Sequence, residues 1–378
     1  MLKQDAHKRA LDRFEKLVDL AEVARCEQIQ KDMFAGKPSS QLPCIVTMPE
    51  PADWPQYSFT ECWDDVEKNF ISGLGHSYCG ALLRDDRLFW ARPEYGVVNI
   101  PELFGVKSVV TNEGRSMSEG VSDLGRIKQW ISAGVPNLAA GHACKVDEWY
   151  DLARQALSQH EKLSKAVHFV LPDSQGPFDL ACLVHGSAIL TGVYDYPELL
   201  HQLLDLVTKT YIAYNERYKA IMGEPADSGC HIAGLKLVRG GVRICDDSAT
   251  LASATVYREF AKPYNLRCFE PFKGGWLHFC GHGNHLLDEM LDMAPVHYLH
   301  LGNPDYHDFV ALIRKTAARK ITLFWSGSLD RIGEAWEIAG HSRLLVLTEN
   351  RYASAGLDDA RENLKRVRAC LPIAKAAY

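Results

Sequence analysis

The strongest constraint in this chain is a regular alternation that begins near residue 165. Short apolar runs alternate with helix-patterned stretches, again and again, to the end of the sequence. Val167–Leu171 ends in Pro172 and Asp173, and a long helical stretch spans Tyr196–Met222. Ile232–Val238 and Val242–Cys245 follow, the latter ending in Asp246 and Asp247, before a helix from Thr255 to about Phe272. Trp276–Cys280, Val296–Leu301, Ile321–Trp325 and Leu344–Thr348 each precede a helix, the last running from Asp358 to Cys370. Continuous apolar runs of four to six residues suit parallel strands covered on both faces, and helices between them supply the crossovers. With the early run Cys44–Met48 and one strand somewhere in Leu74–Gly120, the count approaches eight. Leu88–Ala91 and Val106–Val110 are the β-like pieces there. The expected fold is α/β, a single (β/α)₈ TIM barrel over residues 1–378 with a helical N-terminal extension over 1–40. An open dinucleotide-binding sheet is disfavoured, because no GxGxxG follows an early strand.

Charge and apolar content narrow the function classes. A net charge of −6 with no Lys/Arg stripe argues against nucleic acid. No apolar run reaches the roughly 20 residues of a membrane span, and the charged N-terminus lacks a signal-peptide core. The eleven cysteines are scattered without a CxxC pair, which reads as reduced thiols in a cytoplasmic protein.

Active sites of such barrels lie at the C-terminal ends of the strands. The run ends carry Asp173 and Gln175, Asp246 and Asp247, His278 and Cys280, His300 and Asn303, Ser326 and Asp330, and finally Glu349. Polar residues end strands in any protein, so the set carries more than any one member. The most specific feature is His278-Phe279-Cys280. Residues i and i+2 of a strand share a face, so His278 and Cys280 point one way and Phe279 the other. Imidazole and thiolate suit zinc, and a catalytic zinc needs about three protein ligands. Glu349 is the first choice for the third and His300 the second. The competing reading is a packed strand that happens to end HFC.

These same residues resemble a known family. Asp173-Ser-Gln-Gly-Pro-Phe-Asp-Leu-Ala181 is similar to the GPxTLA segment of the uroporphyrinogen decarboxylase superfamily. Asp246-Asp-Ser-Ala-Thr-Leu-Ala-Ser253 with Tyr257-Arg-Glu-Phe-Ala-Lys-Pro-Tyr264 resembles its DD…S…YxxFxxPY segment. Leu277-His-Phe-Cys-Gly281 resembles the HxCG of its corrinoid-dependent methyltransferases, Ser326-Gly-Ser-Leu-Asp330 its GNxD, and Glu362-Asn363 its late TPxEN. The resemblance covers about residues 165 to 370. It implies a barrel and one of two chemistries: metal-free decarboxylation, or zinc-dependent methyl transfer involving a corrinoid. The decarboxylase's early PVWxMRQAG-like motif is replaced by Pro43-Cys-Ile-Val-Thr-Met-Pro-Glu50. The methyltransferases' late third cysteine is replaced by Thr348-Glu-Asn-Arg351, which leaves Glu349 to substitute.

The expected function is therefore a zinc-dependent methyltransferase acting between a small molecule or thiol and a corrinoid brought by a separate partner protein. Asp247 and His300 are the expected catalytic residues. Asp173, Gln175, Asp246, Asn303 and Asp330 are the expected substrate contacts, and His278, Cys280 and Glu349 the expected metal ligands. The alternatives are a metal-free lyase acting on a carboxylated substrate and a non-catalytic ligand-binding barrel. Self-association into a homodimer stays open.

Overall fold

A computed structural model describes residues 2–111 and 114–373. Eight short parallel strands form the frame: β1 (Cys44–Val46), β2 (Phe89–Ala91), β3 (Val167–Phe169), β4 (Val242–Cys245), β5 (Gly275–Phe279), β6 (Val296–Leu301), β7 (Thr322–Trp325) and β8 (Leu344–Thr348). They are laddered in two arcs. One runs β1-β8-β7-β6-β5-β4, the other is β2-β3, and every pairing is parallel. The second strand, unplaced in the sequence, is the Leu88–Ala91 piece. Val106–Val110 contributes instead to a small antiparallel pair, Ser108–Val110 with Ser116–Ser118. The run Ile232–Val238 is not a frame strand either, because Leu235–Leu237 folds back on Gly229–His231 as an antiparallel hairpin.

Backbone and side-chain hydrogen bonds bridge the two seams between the arcs. At β1/β2, Asp86 N–H reaches Cys44 O at 3.1 Å. The next backbone donors of β1 go to carboxylates rather than to β2: Cys44 N–H to Asp86 at 3.0 Å and Val46 N–H to Asp85 at 2.9 Å. Arg87 binds Asp85 through Nε and Nη2 and also donates to Val46 O. On the β2 edge, Ser77 Oγ exchanges hydrogen bonds with Trp90 O and N–H at 2.8 and 2.7 Å. At β3/β4, Gly176 N–H donates to Cys245 O at 2.9 Å. A Cβ on Gly176 would fall 2.6 Å from that oxygen, so the crossing requires glycine.

Strand alternation then produces two cores. Leu277, Leu299, Leu323 and Val346 face outward into the helix shell. Ile45, Trp276, Tyr298, Phe324, Leu345 and Leu347 face inward, where they meet Met33 and Phe34 of the N-terminal extension and Leu235 and Leu237 of the hairpin. The extension is two helices, α1 (Asp5–Leu17) and α2 (Leu20–Ala35). Asp19 caps α2 by accepting from Ala21 and Glu22 N–H, and Gly36 ends it in the left-handed region. The apolar floor leaves polar inward positions to the C-terminal rim. No helix among the described residues is long and apolar enough to cross a membrane, and all eleven cysteines are free thiols.

Candidate active site at the strand ends

In-register pairing sets Cys245 beside His278 and His278 beside His300 across β4, β5 and β6. The strand period also holds as expected. His278 and Cys280 sit together, Sγ to Nε2 at 3.5 Å, while Phe279 packs in the outer core. Asp247, just past β4, brings Oδ1 within 3.7 Å of His278 Nε2. The same oxygen accepts Cys280 N–H at 2.6 Å, which ties the two loops together. Cys245, Asp247 and His278 each offer a donor atom within 4.8 Å of the others.

His278 Nδ1 lies 3.0 Å from His300 Nδ1, and the rings stack at 5.0 Å. Beyond, His300 Nε2 meets Ser326 Oγ at 3.4 Å and Glu349 Oε2 at 3.9 Å. One proton between the two Nδ1 atoms satisfies this pattern. With His278 Nδ1–H donating, His300 carries its own proton on Nε2 towards Ser326 and Glu349. His278 Nε2 then presents a lone pair to Cys280 and Asp247. Both imidazoles are held neutral. Burial lowers His300 to about 3, aided by the Arg243 charge. Burial likewise pulls His278 well below the usual histidine value, with His300 and Arg243 adding to it. Burial, with Asp247 beside it, pushes the Cys280 thiol up to about 12, and burial raises Glu349 to about 7.

Residues 160–324 match the sequence model of the family described as Uroporphyrinogen decarboxylase (URO-D). That stretch of the chain is similar to the uroporphyrinogen decarboxylase family. The matched segment runs from β3 into β7 and so contains Asp173, Asp247, His278, Cys280 and His300. Asp330 and Glu349 lie beyond it. Among solved structures, a methyltransferase from Methanosarcina mazei superposes with a TM-score of 0.59 at 19% identity, covering 89% of this chain and 96% of that one. At that identity the likeness speaks for the fold. No curated protein matches.

The two adjacent acidic residues after β4 divide their work. Asp247 faces the rim with its side chain 41% exposed. Asp246, expected to contact substrate, turns outward because adjacent strand residues take opposite faces. It is fully buried, and its carboxylate accepts Tyr257 Oη at 2.8 Å and Asn265 Nδ2 at 2.6 Å. Burial pushes it up to about 7. It anchors the two helices that follow β4. Tyr257→Phe should therefore cost about 1–3 kcal/mol by removing one of the two hydrogen bonds that the buried carboxylate accepts. Urea denaturation of the two proteins measures it, and an unchanged midpoint would refute the anchor.

Glu349 is not placed against the His278–Cys280 pair. In ladder order β8 lies three strands from β5, whereas β4 adjoins it, so the neighbouring donors come from Asp247 and Cys245. The other expected contacts are spread around the rim. Asp173 is ion-paired with Arg243, and Gln175 donates to it at 3.2 Å. Asn303 accepts Gly281 N–H at 2.7 Å and lines a cleft of about 240 Å³ with Ser326 and Arg351. Asp330 is exposed, and its carboxylate takes the Ser328 hydroxyl.

Reading only the residue that ends each run missed four groups. Arg243 and Cys245 lie inside their run at the same parity as Asp247. Arg92 follows the strand that went unplaced. Asp179, in the helix Pro177–His185, is buried and accepts Asp247 and Ser248 N–H at 2.8 and 2.7 Å, holding the Asp247 loop.

Proposed function

We propose that the chain is a zinc-dependent methyltransferase, moving a methyl group between a small molecule or thiol and a corrinoid carried by a separate protein. The observation that carries this reading is the cluster of Cys245, Asp247 and His278, whose donor atoms lie within 4.8 Å of one another, with Cys280 Sγ 3.5 Å from His278 Nε2. Its separations of 3.5 and 3.7 Å match the edges of a tetrahedron whose bonds are about 2.0–2.3 Å, roughly 3.3–3.8 Å. Nitrogen, sulfur and carboxylate oxygen are the donors zinc takes. A zinc ion held there would supply Lewis acidity and favour the thiolate form of a bound thiol. His300 holds its Nε2 proton beside Ser326 and Glu349, where it can meet a substrate heteroatom. Asp247, open to solvent, orients the Cys280 loop and faces the same space.

A metal-free lyase is the second reading. It draws on Glu349, a carboxyl pushed up to about 7 beside His300, which suits protonation of a carbanion left by lost carbon dioxide. Metal counting separates the two. Wild type purified without chelator and resupplied with zinc is expected to hold about one ion per chain. Cys280→Ser should lose it and Glu349→Gln should keep it. A metal-free wild type would overturn the proposal in favour of the lyase.

A further inference from the structure

Two arginines meet inside the barrel mouth. Arg92 follows β2, Arg243 lies on β4, and Asp173 from the end of β3 stands between them. Asp173 is bonded to Arg243 and lies 3.9 Å from Arg92 Nη2. Arg92 also donates through Nε to Glu94 at 2.8 Å. The guanidiniums are 12% and 11% exposed, so they are nearly but not wholly enclosed. Arg243 Nε and Nη1 have no hydrogen bond to any described residue, nor are they among the buried polar atoms sealed away from solvent. A cavity of about 260 Å³ lined by Trp90, Arg92, Glu94 and Tyr57 opens onto Arg92 from the other side.

A guanidinium closed off from bulk water normally satisfies its N–H groups with protein partners. Here donors of Arg243 are left over on a side chain that is not wholly enclosed. The charges balance, two arginines against Asp173 and Glu94, so the unused N–H donors of Arg243, and not an excess of charge, are what call for an acceptor. Arg243 also reaches the reacting end, because it is a neighbouring charge acting on both His278 and His300.

We propose that Arg243 and Arg92 form a carboxylate-binding subsite, so that the small molecule acted on at the rim carries a carboxylate. The ligand's planar carboxylate would take the free edge of Arg243 in paired N–H···O bonds, a geometry lysine cannot reproduce. Asp173 holds the two guanidiniums in place and competes with the ligand for them. This rests on the small-molecule substrate of the function proposed above, but its test needs no turnover.

The experiment is calorimetric titration of the purified chain with benzoate and acetate. Benzamide and acetamide serve as neutral controls, and inorganic phosphate as a second anion. Wild type should bind a carboxylate at least tenfold more tightly than its amide. Asp173→Asn should tighten carboxylate binding severalfold, since the competing charge is gone. Arg243→Gln should weaken it at least tenfold. The double variant Arg243→Gln/Asp173→Asn, which leaves no unpaired buried charge, covers the case in which Arg243→Gln alone does not fold. Equal binding of acid and amide overturns the subsite. So does tight carboxylate binding by the folded double variant, and phosphate binding in preference to carboxylates overturns the assigned ligand class. Repeating the titration on Cys280→Ser keeps the two proposals apart, because loss of zinc there with carboxylate binding intact leaves the subsite standing alone.

Discussion

Asp85→Ala is expected to lower the unfolding free energy by about 3–5 kcal/mol, the usual result of removing one partner of a buried ion pair. The Asp85 side chain is completely enclosed and Arg87 nearly so. One carboxylate accepts Arg87 Nε, Arg87 Nη2, Arg87 N–H and Val46 N–H. Alanine would strand a buried guanidinium and a backbone donor of β1 together. Because the carboxylate stands where a β1/β2 ladder would otherwise run, the loss falls on the join between the arcs. Equilibrium urea unfolding followed by tryptophan fluorescence measures it. Ser77→Ala, which removes a neutral partner of Trp90 on the same seam, should cost nearer 1 kcal/mol. Equal costs for the two variants would show that the ion pair has no special part in the seam.

His278→Ala is expected to reduce methyl transfer at least a hundredfold. Losing only a supporting partner of a metal ligand commonly costs ten- to a hundredfold, and His278 touches every other group of the cluster. Its Nε2 faces Cys280 and Asp247, and its Nδ1 fixes the tautomer of His300. The variant removes a donor and releases His300 at once. Asp179→Asn, by contrast, leaves the cluster's atoms in place and loosens only the loop that holds Asp247. Its loss should stay within the ten- to hundredfold range. Single-turnover rates with zinc-saturated protein compare the two. A larger loss in Asp179→Asn than in His278→Ala would reverse the assigned roles.

The frame was legible wherever a strand is buried on both faces. Val242–Cys245, Trp276–Cys280, Val296–Leu301, Ile321–Trp325 and Leu344–Thr348 each read as a mostly apolar run, and each is a strand within a residue or so. β2 was hidden because its join to β1 runs through Asp85, Asp86 and Arg87, three charged residues that read as a loop. Ile232–Val238 misled for the opposite reason. It is apolar because it fills the floor, and apolarity alone does not distinguish a floor hairpin from a frame strand. At the site, period two placed His278 with Cys280 and set Phe279 apart. It also held the information that Asp246 turns away and that Arg243 and Cys245 turn in, since all three lie in one run. The partner of the His278–Cys280 pair was legible too, since consecutive strands of such a barrel lie side by side and β4 precedes β5; the choice of Glu349 followed the late motif instead of the strand order.

The inner core joins the two ends of the chain. Met33, Phe34 and Ile45 pack against Leu345 and Leu347, and Cys44 pairs with Val346 in the ladder. During synthesis the early group leaves the ribosome roughly 300 residues ahead of its partner. At about 5–20 residues per second that is a wait of about 15–60 s. Throughout it β1 has an unpaired edge, while the apolar face of α2 waits for Leu235 and Leu237 of the hairpin, about 200 residues on, before it gains its first cover in the inner core. The edge of β1 is therefore the part of the nascent chain that stays open to wrong pairing longest.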